Sequence, residues 1–315
     1  MKFPVFDLHC DTAIGLLGKS SQECGSLNEN ELHIDLKRAG ELAGYAQCFA
    51  CYTTPLSKRP VPPVEMFERQ MVSILREVEK NKDKIALIHS ADDISQNYKN
   101  GKMSAILTIE GPAGFGFDAA LLEDLYKIGF RITTLSWNES NVLTGSHKTG
   151  GGLTELGREY VKEAQRLGML IDVSHISDEA FWDIMEITTA PVIASHSNSR
   201  AVHNVSRNLT DDMFQAICKT GGVAGINLFA GFLGDNPTLD TVCDHILHFM
   251  ELDPEAKHIA LGGDLDGCKQ LPAEFTGIQD YNKLAQALSA RGLADEVIHR
   301  IFWDNAIGVM KLCCM

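Results

Sequence analysis

Six ionisable side chains in this sequence stand at or near the carboxyl ends of short apolar runs. They are His9, Asp11, Glu110, His175, His196 and Asp264. Imidazole and carboxylate groups are the ligands that catalytic zinc takes, and such a site leaves one position open for water. A pair of metals roughly 3.5–4 Å apart needs a carboxylate between them, and Glu110 is well placed to supply it. The sequence therefore predicts a hydrolytic metal centre.

The apolar runs are typical of buried parallel strands, which are continuously hydrophobic rather than alternating. Eight runs occur, at residues 5–11, 44–52, 104–110, 132–137, 169–175, 192–197, 222–229 and 258–264. Helices are predicted between them at 64–80, 155–166, 178–187, 211–219 and 239–252, with Thr154, Ser177 and Thr210 as N-caps. This order predicts an α/β fold, a (β/α)8 TIM-type barrel in a single domain over residues 1–315. An open doubly wound sheet is the alternative, but no G-x-G-x-x-G follows the first run.

Two segments are expected over the mouth of such a barrel, where active sites of this fold lie. Residues 53–63 are proline-rich and residues 139–153 are glycine-rich. The triple glycine of the second segment has no Lys-Ser/Thr after it, so a flexible loop is predicted rather than a phosphate cradle. Below the metals, the small residues Ala194 and Gly262 are expected to leave space.

The composition restricts the possible partners and location. The chain has 315 residues and a formal net charge of −14, which argues against a nucleic acid or an anionic membrane as partner. Its nine cysteines are odd in number and lack a framework spacing, so a reducing compartment is expected. Cys48 and Cys51 are interpreted as buried strand thiols. Since the sequence shows neither a signal peptide nor an apolar run of about 20 residues, a cytoplasmic enzyme is predicted.

Five short segments together resemble one known family. The sequence is similar to the membrane (renal-type) dipeptidases, peptidase family M19 of the amidohydrolase superfamily, over about residues 5–310. The segments are DLHCDT at 7–12, IEG at 109–111, DVSH at 172–175, SHSN at 195–198 and GDLDG at 263–267. An H-x-D motif alone is weak evidence for a family, but these five segments in this order are highly specific for this one. The resemblance implies an amidohydrolase-like barrel and a zinc-dependent dipeptidase.

The resemblance also implies roles for particular residues. Two zinc ions per chain would be held by His9 and Asp11 on one side and by His175 and His196 on the other, with Glu110 between them. A hydroxide bridging the metals would attack a small peptide substrate, a dipeptide with an L- or D-residue at its C-terminal position. Asp264 would take the proton and deliver it to the departing amine, and Arg207 would grip the C-terminal carboxylate. A homodimer is plausible on the same ground.

One position departs from the family pattern. The family has a histidine after its fourth strand, where this sequence has Trp137, and Asn138 next to it could supply a hydrogen-bond donor. Trp137 and Asn138 are therefore candidate substrate contacts, and packing is the other interpretation for Trp137. The other histidines, His147 among them, are interpreted as bystanders, with His245 a candidate for a supporting position. Asp266 is expected to cap a turn.

Two other functions stay open at this stage. One is a different binuclear amidohydrolase that acts on a non-peptide amide. Many such enzymes carry a carboxylated lysine on strand four, and residues 132–137 contain no lysine. The other is a catalytically silent metal-binding barrel, which retention of all the predicted ligands disfavours.

Overall fold

Parallel strands surround the centre of the molecule. The computed structural model describes residues 2–18, 25–55 and 61–314. Its strands are β1 (Pro4–Cys10), β2 (Gly44–Tyr52), β3 (Ile85–Leu87), β4 (Met103–Glu110), β5 (Phe130–Thr134), β6 (Thr144–Ser146), β7 (Gly150–Leu153), β8 (Leu170–Asp172), β9 (Val192–Ile193), β10 (Ala224–Ile226) and β11 (Ile259–Leu261). Four of the eight predicted runs form strands of only two or three residues, β8 to β11, because the backbone leaves the sheet early there.

The sheet closes on itself. Its strands follow the order β10-β11-β1-β2-β4-β5-β8-β9, and a parallel bridge between Ala194 and Ala224 joins the last strand back to the first. Strand β3, which was not predicted, pairs with the beginning of β4. The predicted α/β fold, a TIM-type barrel, is therefore confirmed, and the open doubly wound sheet is wrong.

Helices alternate with the strands along the chain. They are α1 (Thr12–Leu16), α2 (Leu36–Ala39), α3 (Pro63–Lys80), α4 (Ala91–Lys99), α5 (Leu122–Ile128), α6 (Glu155–Arg166), α7 (Asp178–Ile187), α8 (Asp211–Thr220), α9 (Ala230–Leu233), α10 (Leu239–Leu252), α11 (Tyr281–Ala290), α12 (Asp295–His299) and α13 (Asn305–Cys313). Thr154, Ser177 and Thr210 accept backbone N–H bonds as N-caps, as predicted. Within the described chain, none of the helices combines the length and apolar character that a bilayer crossing requires.

One apolar cluster fills the lower part of the barrel. It joins residues of several strands, among them Leu8, Ile106, Ile132 and Leu170, to Met310 of α13. All five side chains are fully buried or nearly so, and each such burial contributes about 1.5–3 kcal/mol of stability. A second, larger cluster packs the helices against the outside of the sheet. These two layers fix the strand ends, and with them the polar residues of the mouth.

Candidate active site

The predicted site residues meet at the carboxyl ends of the strands. His9 lies in β1 and Glu110 ends β4, whereas His175, His196 and Asp264 lie three residues beyond β8, β9 and β11. The prediction that each of the last three ends a strand is therefore wrong. His175 and Asp264 have left-handed backbones, with φ of 70° and 55°, which end the extended conformation and turn the side chains.

The side chains nevertheless converge as expected. Ligand atoms of His9, Glu110 and His196 lie within 4.8 Å of one another, and so do those of His9, Asp11 and Asp264. Backbone bonds across the top of the sheet produce this geometry. The N–H of Asp264 donates to the carbonyl of His9 at 3.2 Å. The N–H of Asp11 donates to the carbonyl of Leu265 at 2.9 Å.

Glu110 extends one oxygen to each half of the cluster. Its Oε2 lies 3.6 Å from His9 Nε2, whereas its Oε1 lies 3.1 Å from His175 Nε2 and 3.9 Å from His196 Nε2. Burial by itself would raise the pKa of Glu110, but the charge of His9 outweighs it and holds that pKa below its usual value. The carboxylate is therefore ionised, and it can bridge two bound cations.

Two histidines present bare nitrogen lone pairs to each other. His175 Nε2 and His196 Nε2 are 2.9 Å apart. His175 Nδ1 lies 3.1 Å from the amide oxygen of Asn138, which can only accept, so Nδ1 carries the proton. His196 Nδ1 lies 2.6 Å from Ser195 Oγ, whose own proton goes to Asp172 at 2.6 Å. Both Nε2 atoms are then acceptors, and a shared electrophile would relieve their repulsion.

The charges in the cluster favour a cation. Burial and the charge of Glu110 raise the pKa of Asp11 well above its ordinary value. Burial alone would lower the pKa of His9, but Glu110, Asp11 and Asp264 outweigh it and raise that pKa to about 10. Without a metal, a proton on His9 balances part of this negative charge.

Several of these atoms also lack a hydrogen-bond partner. Within the described residues, His9 Nε2, Asp11 Oδ1 and Glu110 Oε2 are buried and unpaired. Such groups are costly to bury, so their convergence calls for a ligand. The mixed nitrogen and oxygen donor set fits zinc better than calcium or magnesium, which prefer oxygen alone.

Two buried carboxylates that sequence reasoning missed hold the backbone of the site. Asp7 accepts the N–H groups of His9 and Gly263, each at 3.0 Å, and the Tyr281 hydroxyl at 2.5 Å. It thereby ties β1 to the segment after β11. A carboxylate two residues before a strand histidine is the signal that could have identified it.

Asp172 is the second of these carboxylates. It accepts the backbone N–H groups of Ser174 at 2.9 Å and Ser195 at 2.8 Å, and the Thr134 hydroxyl at 2.7 Å. One side chain thus joins the ends of β5, β8 and β9 and fixes the turns that carry two of the histidines. A carboxylate inside an otherwise apolar strand is the signal that could have identified Asp172.

Asp264 has the environment of a proton carrier. Its Oδ2 accepts a bond from the Asn227 side chain at 3.2 Å. Burial, and next the charge of Glu110, raise the pKa of Asp264 to about 6, although His9 and Arg207 oppose this. The second aspartate of the motif, Asp266, accepts bonds from the Thr12 hydroxyl at 2.6 Å and from the His33 N–H at 2.5 Å, so its carboxylate ties two distant segments together instead of capping its own turn.

Arg207 is a buried cation with free donors. Its Nη1 donates to Ser197 Oγ at 2.5 Å, and its Cζ lies 5.6 Å from the centre of the Phe232 ring. Its Nε and Nη2 are buried and have no partner within the described residues. Burial lowers the pKa of Arg207 to about 10, so the guanidinium stays charged at neutral pH. Two such donors on one planar group match a carboxylate.

Trp137 and Asn138, the candidate substrate contacts, lie beside the cluster. The Trp137 ring is half-buried, with its centre 5.1 Å from Tyr52 and 6.3 Å from the His175 ring. The Asn138 oxygen is already occupied by His175 Nδ1, and it also lies 2.7 Å from His147 Nε2. Asn138 therefore contacts a predicted ligand directly.

Three expectations about the surroundings are wrong. Residues 139–153 contain the paired strands β6 and β7 instead of a loop, and this hairpin brings His147, interpreted as a bystander, to the site. His245 bonds to Ser199 and Leu233 rather than to any predicted ligand. Residues 56–60 of the proline-rich segment lie outside the described part of the chain.

Gly262 does not leave the space that was expected below a metal centre. A Cβ there would lie 1.7 Å from the carbonyl oxygen of Ser195, so glycine is required because the segments that follow β9 and β11 approach closely. Ala194 is fully buried and forms the parallel bridge with Ala224 that closes the barrel.

Comparison with known proteins identifies the family. The model of the family described as membrane dipeptidase (peptidase family M19) matches residues 1–313. The chain belongs to the membrane dipeptidase family, M19. This confirms the resemblance and assigns the chain to the metallopeptidases, enzymes that hydrolyse peptide bonds. The predicted dipeptidase type agrees with the family.

Individual proteins similar to this chain include a dipeptidase and a metallopeptidase. An uncharacterized protein in the pqqA 5′ region of Klebsiella pneumoniae is 33% identical over 80% of this chain and 97% of its own length. An uncharacterized dipeptidase of Schizosaccharomyces pombe is 30% identical over 72% of this chain, but the match spans only 57% of that protein. A metallopeptidase from Rhodobacter sphaeroides, solved with a phosphinate mimic of the dipeptide L-Ala-D-Ala, superposes with a TM-score of 0.89 at 25% identity, covering 99% of this chain and all of that one.

Proposed function

We propose that this M19 chain is a two-zinc dipeptidase that requires a free C-terminal carboxylate on its substrate. One observation carries the proposal. Within the described residues, buried metal-ligating atoms on His9, Asp11 and Glu110 lack hydrogen-bond partners, and so do two donors of the buried Arg207, whose pKa Glu110 and Asp264 influence. The first group fits a hydrolytic metal centre, and the second fits one end of a short peptide. The phosphinate dipeptide mimic in the Rhodobacter sphaeroides relative supports the same substrate class.

We infer the following ligand set. His9 and Asp11 would hold one zinc, His175 and His196 the other, and Glu110 would contact both through its two oxygens. When bound, the metals would lower the pKa of a water molecule and polarise the scissile carbonyl. The Nδ1–H tautomers of His175 and His196 would leave their Nε2 lone pairs free beside Glu110 Oε1, which is the state that metal binding needs.

Arg207 and Asp264 would act on the substrate directly. Arg207 would accept the terminal carboxylate through Nε and Nη2, and this would orient the peptide relative to the metal ligands. Asp264 would take a proton from the attacking water and return it to the departing amine, a role suited to a carboxyl group with a pKa near 6. The half-buried Trp137 would line the substrate side of His175.

Further features of the protein belong to the same proposal. We place the whole activity in a single domain, since the family match covers residues 1–313. A cytoplasmic location is proposed because the eight described cysteines are all unpaired. A homodimer is proposed on the family resemblance alone.

A stereochemically matched dipeptide panel tests the function. L,L- and L,D-dipeptides are assayed as free acids and as C-terminal amides, with zinc present and after chelation. We expect zinc-dependent hydrolysis of free acids and little hydrolysis of amides. Failure to hydrolyse any dipeptide would refute the proposal, and equal hydrolysis of acids and amides would refute the role of Arg207.

A further inference from the structure

A hairpin brings a histidine outside the proposed ligand set to the edge of the site. Strands β6 and β7 pair antiparallel, and the turn between them carries His147. The His147 backbone N–H donates to the carbonyl of His175 at 2.8 Å. The two imidazole rings are 6.0 Å apart, centre to centre. The hairpin is therefore anchored to the segment that holds a proposed metal ligand.

Helix α7 fixes this hairpin from the other side. Glu179 accepts the N–H of Gly151 at 2.5 Å, and Asp183, one helical turn later, accepts the N–H of Leu153 at 2.7 Å. Within the hairpin, a Cβ on Gly145 would lie 2.0 Å from a carbonyl oxygen of the facing strand. Because the glycines allow this close pairing and the carboxylates clamp it, His147 has a defined position.

Hydrogen-bond chemistry assigns a direction to each contact of His147. Its Nε2 lies 2.7 Å from Asn138 Oδ1, the same oxygen that faces His175 Nδ1 at 3.1 Å. Since an amide oxygen only accepts, both rings direct an N–H toward it. His147 Nδ1 is then an acceptor, and the Ser206 hydroxyl lies 3.0 Å away as its donor. With Asn138 Oδ1 facing both rings, the chain Ser206–His147–Asn138–His175 has a consistent set of proton positions.

We propose that His147 is a positioning residue that holds the Asn138 carboxamide in the orientation that presents the His175 Nε2 lone pair to the metal. The inference rests on the proposed role of His175 as a ligand. Without the imidazole, the Asn138 amide is free to rotate and offer its NH2 group to His175, which favours the opposite tautomer. Through Ser206, His147 also connects this contact to the segment that carries Arg207.

Zinc affinity and a cobalt spectrum test the first part. His147→Ala and His147→Gln are compared with Lys148→Ala, a change at the exposed neighbour in the same turn. We expect His147→Ala to weaken binding of one zinc about 10–100-fold and to alter the d–d bands of the Co²⁺ protein, as removal of a group that orients a ligand histidine does. His147→Gln, whose amide can still donate to Asn138, recovers most of the affinity, and Lys148→Ala matches the parent.

The outcomes separate this inference from the proposed function. Parental zinc affinity and spectrum in folded His147→Ala overturn the inference, and so does an equal loss in the Ala and Gln variants. A parent protein that binds no zinc refutes the metal centre itself. Ser206→Ala removes only the contact between His147 and the segment that carries Arg207. This change is expected to raise KM for the dipeptide and to leave zinc affinity unchanged. A Ser206→Ala protein that keeps the parent's KM overturns the connection between His147 and the Arg207 segment.

Discussion

Replacing Arg207 by Met separates substrate recognition from folding. Among the described residues, the buried Nε and Nη2 of Arg207 have no hydrogen-bond partner. Each hydrogen bond to a charged group contributes about 1.5–3 kcal/mol, so the two bonds to a carboxylate contribute about 3–6 kcal/mol. At about 1.4 kcal/mol per factor of ten, Arg207→Met should lower kcat/KM for a free dipeptide about 10²- to 10⁴-fold.

Stability should change in the opposite direction. Burial lowers the pKa of Arg207 from its usual value to about 10. Below that folded-state pKa the charged group therefore costs the folded protein about 3 kcal/mol, and the cost disappears only as the pH rises above about 10. Methionine carries no such cost. The free energy of unfolding of Arg207→Met at neutral pH should equal or exceed that of the parent.

The assay compares a free dipeptide with its C-terminal amide. The parent should prefer the free acid strongly, and Arg207→Met should lose that preference while its urea midpoint does not fall. Arg166→Met, a change at an exposed arginine far from the site, is the matched control. A folded Arg207→Met protein that keeps the parent's preference for the acid would refute the reasoning.

Other changes test other parts of the site. Asp264→Asn should keep the parent's zinc content and lose about 10²- to 10⁴-fold in kcat; a variant near parental kcat contradicts the proton role. In the parent, kcat/KM should fall as the pH drops through about 6 or slightly below, because Asp264 must be ionised to accept a proton. Bound metal cations would lower the pKa of Asp264 further. A fall in kcat/KM that begins well above pH 6 argues against this role. Gly262→Ala should destabilise the fold by about 3 kcal/mol or more in urea unfolding, since its Cβ would meet a carbonyl at 1.7 Å. Gly308→Ala, where a Cβ meets nothing within 4 Å, should stay within about 1 kcal/mol of the parent, and equal effects of the two changes would refute the close approach.

The barrel could be predicted because burial leaves a strong signal in parallel strands. Each run is apolar on both faces, and an ionisable residue next to it stands out, as His196 does after Val192–Ile193. The bounds of α6, α7 and α10 were also predictable, because N-caps or regular amphipathic spacing define them locally. These signals depend on neighbours in sequence.

Other features depend on contacts between distant segments. His147 reaches Asn138 only because Glu179 and Asp183 on α7 clamp the hairpin, and nothing in the sequence GSHKTGGG indicates that partner. The left-handed backbones of His175 and Asp264, three residues beyond β8 and β11, are likewise marked by no local pattern. Non-glycine residues adopt this conformation rarely, so sequence reasoning extends the strands through them.

Zinc titration of the metal-free protein tests the central claim most directly. Chelated and dialysed protein receives zinc in steps, and bound zinc and dipeptide hydrolysis are measured on the same samples. The account predicts that hydrolysis is absent at the start and reaches its plateau at two zinc ions per chain. Hydrolysis that does not depend on zinc, or a fully loaded protein that cleaves no dipeptide, would contradict it.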